Sequence, residues 1–150
     1  MSAFPPLEAL VPHRGRMLLV SRIEAHAPEE TTCGIDVGAG SLVVNEDGSV
    51  SAWVALEYMA QTIAVHAGLT AWSRAEPVRL GFLIGSRRVD FTTAMRVGQS
   101  LRATVRHVWG AAELAAFECV LHDVVTGALV ARGQLSVAVA EASRLRTVDR

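Results

Sequence analysis

A glutamate, a glutamine and a histidine interrupt the apolar run LEYMAQTIAVHAG, at Glu57, Gln61 and His66. Each polar group buried without a partner costs about 1–3 kcal/mol or more, so a core holds such groups only with a reason. Chemistry supplies one. Desolvation favours the neutral form of a carboxyl in apolar surroundings, which suits Glu57 to donating a proton near neutral pH. The alternative is a carboxylate in a partly solvated notch at a helix start. Gln61 is one helical turn further on the same face, where its amide reaches the glutamate or a strand end. His66 is nine residues from Glu57, about 180° round a helix, and reads as a satisfied or interfacial histidine.

These residues need an element to carry them. The segment from Ala52 to Trp72 would be long enough at about 1.5 Å per residue to match a bilayer core of about 30 Å. Its three polar residues, with Arg74 and Glu76 directly following, argue instead for a helix wrapped by protein and for no membrane span. The rest of the chain alternates with period two, as strands do. Leu101, Ala103 and Val105 share one face, with Arg102, Thr104 and Arg106 opposite. Ala115, Phe117, Cys119 and Leu121 form another apolar face, and Leu129, Ala131, Leu135, Val137 and Val139 a third. Short glycine-containing links, WGAAE and DVVTGA, join these into an antiparallel meander. Earlier runs, MLLVSRIEA, TTCGIDV and GFLIGSRRVDF, add strands on either side of the helix. One long apolar helix with strands before it and a meander after it is an α+β arrangement, a curved antiparallel sheet wrapped around one central helix. This is the hot-dog architecture, expected as a single domain over 1–140 with a tail over 141–150.

Composition bounds the partners. The chain has 150 residues, half of them hydrophobic, and a net charge of −1 with no run of one sign, which argues against nucleic acid. Cys33 and Cys119 read as buried free thiols in strands, with no cluster to hold a metal. The start, MSAFPPLEAL, lacks the basic end and apolar run of a secretory signal, so a reducing cytoplasm is expected.

Two segments carry a resemblance. LVPHRGRMLLVSRI, Leu10 to Ile23, resembles the N-terminal signature of the β-hydroxyacyl-carrier-protein dehydratases of fatty-acid synthesis, and LEYMAQ is similar to that family's helix motif, where the glutamate is the catalytic acid. GFLIGSRRVDF followed by RVGQSL is a third, weaker match. The family's catalytic histidine sits in a Gly-His-Phe-Pro segment about fourteen residues before the glutamate, and a Pro-Gly turn opens its helix. Here Val43 stands where that histidine is expected, and Ala52-Trp53 replaces the turn. The pattern is closer to a divergent branch similar to the 3-hydroxyacyl-carrier-protein dehydratases of aryl-polyene-type pathways.

The resemblance implies dehydration of 3-hydroxyacyl thioesters to trans-2-enoyl thioesters, with acyl carrier protein as partner and no metal or other cofactor. Glu57 takes the acid role. With the usual histidine position empty, His13 is the remaining candidate for the base, its alternative being to fix, with Arg14, the entry into the first strand. Backbone N–H groups at Trp53 and Val54 are candidate donors to the thioester oxygen, while Gln61 and Arg14 are candidate substrate contacts. Arg79, Arg87 and Arg88 are candidates to meet an acidic carrier. Proteins of this kind pair into dimers whose sites draw on both chains, so a homodimer or a hetero-oligomer with another hot-dog protein is expected, with His13 of one chain meeting Glu57 of the other. Thioester hydrolysis and a non-catalytic partner subunit are the competing readings.

Overall fold

The computed structural model describes residues 4–111 and 113–140; the tail expected over 141–150 lies outside the described residues. In chain order it contains two 3-10 turns, η1 (Leu7–Ala9) and η2 (Gly15–Met17), then β1 (Arg22–Ala27), β2 (Glu30–Asp36), β3 (Ser49–Val50), α1 (Val54–Ser73), β4 (Leu80–Phe91), β5 (Met95–Arg96), β6 (Ser100–Ala111), β7 (Leu114–Asp123) and β8 (Leu129–Ala140). Six strands form one antiparallel sheet in the order β1-β2-β6-β7-β8-β4, and β3 pairs with β5 apart from it. The meander expected at β6-β7-β8 is present. The strand expected from Met17 starts only at Arg22, because Gly15–Met17 closes as a 3-10 turn and the N–H groups of Leu19 and Val20 turn to a side chain of α1.

The sheet's inner face is built by the predicted alternation: Leu101, Ala103 and Val105 of β6 and Phe117, Cys119 and Leu121 of β7 are all buried. Against them lie Tyr58, Met59, Ile63, Val65 and Leu69 of α1, and each large apolar side chain so buried stabilises by about 1.5–3 kcal/mol. Cys33 and Cys119 are free and buried in this core. Among the described residues no helix is long and apolar enough to cross a membrane.

Both ends of α1 are set by backbone closure. At the start a tight turn precedes it, with the N–H of Val54 donating to Ser51 O. At the end Ala75 adopts φ 52, the N–H of Glu76 bonds Ala71 O and that of Ala75 bonds Trp72 O. That left-handed closure is a common helix stop, and Pro77 follows it. The helix packs over β2, β6 and β7 and leaves one of its faces uncovered beside the inner surface of β8 and β4. Glu57, Ala60, Ala64 and Ala67, three and four residues apart, form that face and line a cleft opposite Gly81, Leu83, Val137 and Val139.

Candidate active site

The segment that carries His13 reaches the helix through a glycine. A Cβ on Gly68 would lie 2.3 Å from Leu10 O, so only glycine lets this backbone cross the helix so closely. Leu10 is fully buried there, and Pro12 and His13 follow it along the cleft wall. His13 Nε2 comes 3.7 Å from Glu57 Oε1, with the side chains 26% and 47% exposed. The structure therefore brings the two candidate groups together within one chain. It also leaves Glu57 half open to solvent: the chain's own sheet does not bury the face of α1 that carries it.

Gln61 holds the pair's geometry. Its Nε2 donates to Glu57 Oε1 at 3.0 Å and to Met17 O at 2.8 Å, while its Oε1 accepts from Leu19 N at 2.8 Å and Val20 N at 3.4 Å. The amide is buried and its donors and acceptor are spent on the protein itself, so Gln61 lines the cleft as a positioning group. Because Glu57 Oε1 already accepts from Gln61, a proton on neutral Glu57 belongs on Oε2. His13 Nδ1 is buried without a hydrogen-bond partner among the described residues.

The chain itself engages Val54 and Arg14. The N–H of Val54 is committed to Ser51 O at 3.0 Å, and the next two go to Ala52 O and Trp53 O, so Val54 offers no free donor to a thioester oxygen. The reason is local: without a Pro-Gly opening, the residues before α1 close as a turn that takes up the Val54 N–H, while the Trp53 N–H has no backbone acceptor among the described residues. Arg14 Nη1 donates to Val11 O at 2.6 Å and His13 O at 2.8 Å, bracing the loop that presents His13. Trp53 lies one turn before Glu57, 70% exposed, and its ring meets Phe91 edge-on at 5.6 Å.

The three arginines expected to meet a carrier are split. Arg79 lines the cleft. Arg87 and Arg88 line a separate hollow of about 660 Å³ with Asp90, Glu118, Arg132 and Gln134. These residues lie on the sheet surface turned away from the helix.

Sequence reasoning left His66 as a satisfied histidine and missed how. It is buried, its Nδ1 is 2.7 Å from Thr31 Oγ1, and the same hydroxyl is 2.7 Å from His26 Nδ1. The His66 ring also meets Phe117, which in turn meets His107. Burial, with His26 and His107 nearby, pushes the His66 pKa down to about 4. No spacing in the sequence links these histidines: His26 and His107 lie on β1 and β6, and both strands pair with β2, which carries Thr31.

A single apolar helix laid in a six-stranded antiparallel sheet, with a carboxyl and an imidazole at a cleft beside it, defines a hot-dog-fold protein. Comparison with known proteins agrees. The chain matches a chain of the dehydratase heterocomplex ApeI:P from Xenorhabdus doucetiae over 98% of its residues and 99% of that chain, at 24% identity and a TM-score of 0.89. It matches zebrafish thioesterase superfamily member 2 over 89% of its residues and 93% of that chain, at 14% identity and a TM-score of 0.63, and AziG of S. sahachiroi over 80% and 90%, at 19% and 0.61. No curated protein matches it. The family model for ApeP-like proteins, described as ApeP dehydratase, matches residues 5–147. The chain belongs to the ApeP-like dehydratase family and is a dehydratase of the divergent aryl-polyene type that its motifs resemble.

Proposed function

We propose that the protein removes water from 3-hydroxyacyl groups carried on acyl carrier protein in the cytoplasm, with Glu57 as acid and His13 as base. The observation that carries this reading is the 3.7 Å approach of His13 Nε2 to Glu57 Oε1 at the wall of a cleft. In the reaction His13 Nε2 takes the proton from C2, the C3–O bond breaks as Glu57 gives its proton to the leaving hydroxyl, and the C2=C3 double bond forms as water departs. The bonded carbons are neighbours, so acid and base must sit side by side, as these two do. The starting state returns when His13 gives its proton to solvent and Glu57 takes one back on Oε2.

A subunit role is the second reading, and a specific observation favours it: Val43 occupies the place of the family's usual histidine. The structurally similar ApeI:P chain is part of a heterocomplex. We propose on these grounds that the protein works with another hot-dog chain, which closes over the cleft beside α1 and leaves room in it for substrate while desolvating Glu57.

The test is product identity. Carrier-bound 3-hydroxyacyl substrate should give enoyl product, and saturated acyl-carrier should be left intact; release of free acid from the saturated substrate would make the protein a thioesterase. Glu57→Gln keeps the shape and removes the transferable proton, so turnover should fall by about 10²–10⁴-fold with the fold unchanged. Enoyl product at the wild-type rate in that variant would remove Glu57 from the mechanism.

A further inference from the structure

We propose that the cleft has a direction: a phosphopantetheine arm lies along it with its phosphate at Arg79 and its thioester at Glu57 and His13, and the acyl group leaves past Trp53 and Phe91. This rests on the carrier-bound substrate proposed above. The residues that line the cleft on α1 run from Glu57 to Ala67, with Ala60 and Ala64 between. Ten residues of helix span about 15 Å. At the far end stands Arg79, exposed, and among the described residues it has no carboxylate partner. The extended chain from the phosphorus to the sulfur of phosphopantetheine, built from bonds of about 1.3–1.5 Å, covers roughly 16 Å. A thioester held beside Glu57 thus puts its phosphate within reach of the Arg79 guanidinium, whose planar fork suits phosphate oxygens.

The opposite end has another chemistry. Trp53 precedes Glu57 by one turn, about 6 Å along the helix, and its exposed ring forms an edge-on pair with Phe91 at 5.6 Å. A cation at one end of the cleft and an aromatic pair one turn beyond its other end favour a single orientation, because a phosphate gains nothing from the rings and a planar conjugated chain gains from stacking on them. The alanines between present a flat wall that a linear arm can follow.

Binding of unreactive S-alkyl 4′-phosphopantetheine thioethers tests this by calorimetry on the full chain, together with any hot-dog partner that accompanies it. The wild type should bind the phosphorylated thioether about tenfold more tightly than its dephosphorylated counterpart, the effect of one charge-assisted contact. Arg79→Ala should bring that ratio close to one, and Arg79→Glu should invert it. Trp53→Ala should weaken a thioether with a conjugated tail more than one with a saturated tail of equal length, and should keep the phosphate preference. A phosphate preference that survives Arg79→Ala, its absence in the wild type, or its loss on Trp53→Ala would overturn the proposal. Since the thioethers cannot react, a wild type that binds them as expected yet forms no enoyl product would sink the proposed reaction and leave this assignment standing.

Discussion

Gln61 shows how much a single amide can organise. It joins the catalytic candidate Glu57 to three backbone groups, at Met17, Leu19 and Val20, so the carboxylate and the N-terminal segment keep one relative position. Gln61→Leu fills the same space and deletes every one of those bonds. Each backbone group then left buried and unpaired costs about 1–3 kcal/mol, and the midpoint of denaturant unfolding should fall accordingly. Glu57 also loses the donor that fixes its rotamer, so kcat should drop beyond what the stability loss explains. A variant that is destabilised but keeps its full kcat would mean that Gln61 holds the fold and has no hand in aiming the carboxylate.

At the scale of elements, the site depends on where two backbones cross. Gly68 lets Leu10 O approach α1 so closely that any side chain there must push the N-terminal segment away. His13 is three residues beyond that crossing and approaches the helix at Glu57. Gly68→Ala should therefore destabilise by about 1–3 kcal/mol, the usual cost of overpacking, and should separate His13 from Glu57. The separation is read as a loss of kcat/KM larger than that of a variant of equal stability in the core away from the cleft, such as Val105→Ala. Equal activity in the two would show that displacing the segment leaves the chemistry intact.

For the whole molecule, the proposed pairing has one chain supply both His13 and Glu57, which lie 3.7 Å apart in it. A mixture of Glu57→Gln and His13→Ala chains should stay inactive after subunit exchange, since no chain in any hybrid carries both intact residues. Recovery of up to about half the per-site activity, with exchange verified by mass spectrometry, would instead put the working pair across two subunits. The buried histidine cluster sets the stability of the same molecule against pH. His66 is neutral in the fold, with its pKa depressed from 6.5 to about 4, and the groups facing it are Thr31 and His26, with Phe117 between it and the His107–Glu29 pair. Below pH 6.5 the unfolded chain binds a proton that the folded chain refuses. Stability is therefore full above 6.5 and is lost as pH falls through about 4, by an amount on the order of 3 kcal/mol. Burial lowers the His26 pKa as well, which acts in the same direction. His66→Asn keeps a hydrogen-bonding group near Thr31 without a titrating one, so thermal unfolding measured from pH 7 to 4 should show a shallower decline. An unchanged slope would assign the acid sensitivity to other groups.

The sequence by itself determined the class of the fold and the identity of its acid candidate. Period-two alternation in β6, β7 and β8 is a local property of the chain, as is the long apolar run of α1, and a glutamate inside that run already asks for a reason. Motif spacing likewise pointed to Glu57 and named the dehydratase branch. Tertiary structure alone decided which groups meet. That His13 approaches Glu57 within one chain follows from a backbone crossing at Gly68, which no spacing encodes. That Val54 has no donor to offer follows from how the turn before α1 closes. Arg79 parted from Arg87 and Arg88 because it precedes β4 at the cleft, while the other two belong to the sheet's outer side. In each case the sequence specified the chemical group, and only the packing of distant segments specified its neighbour.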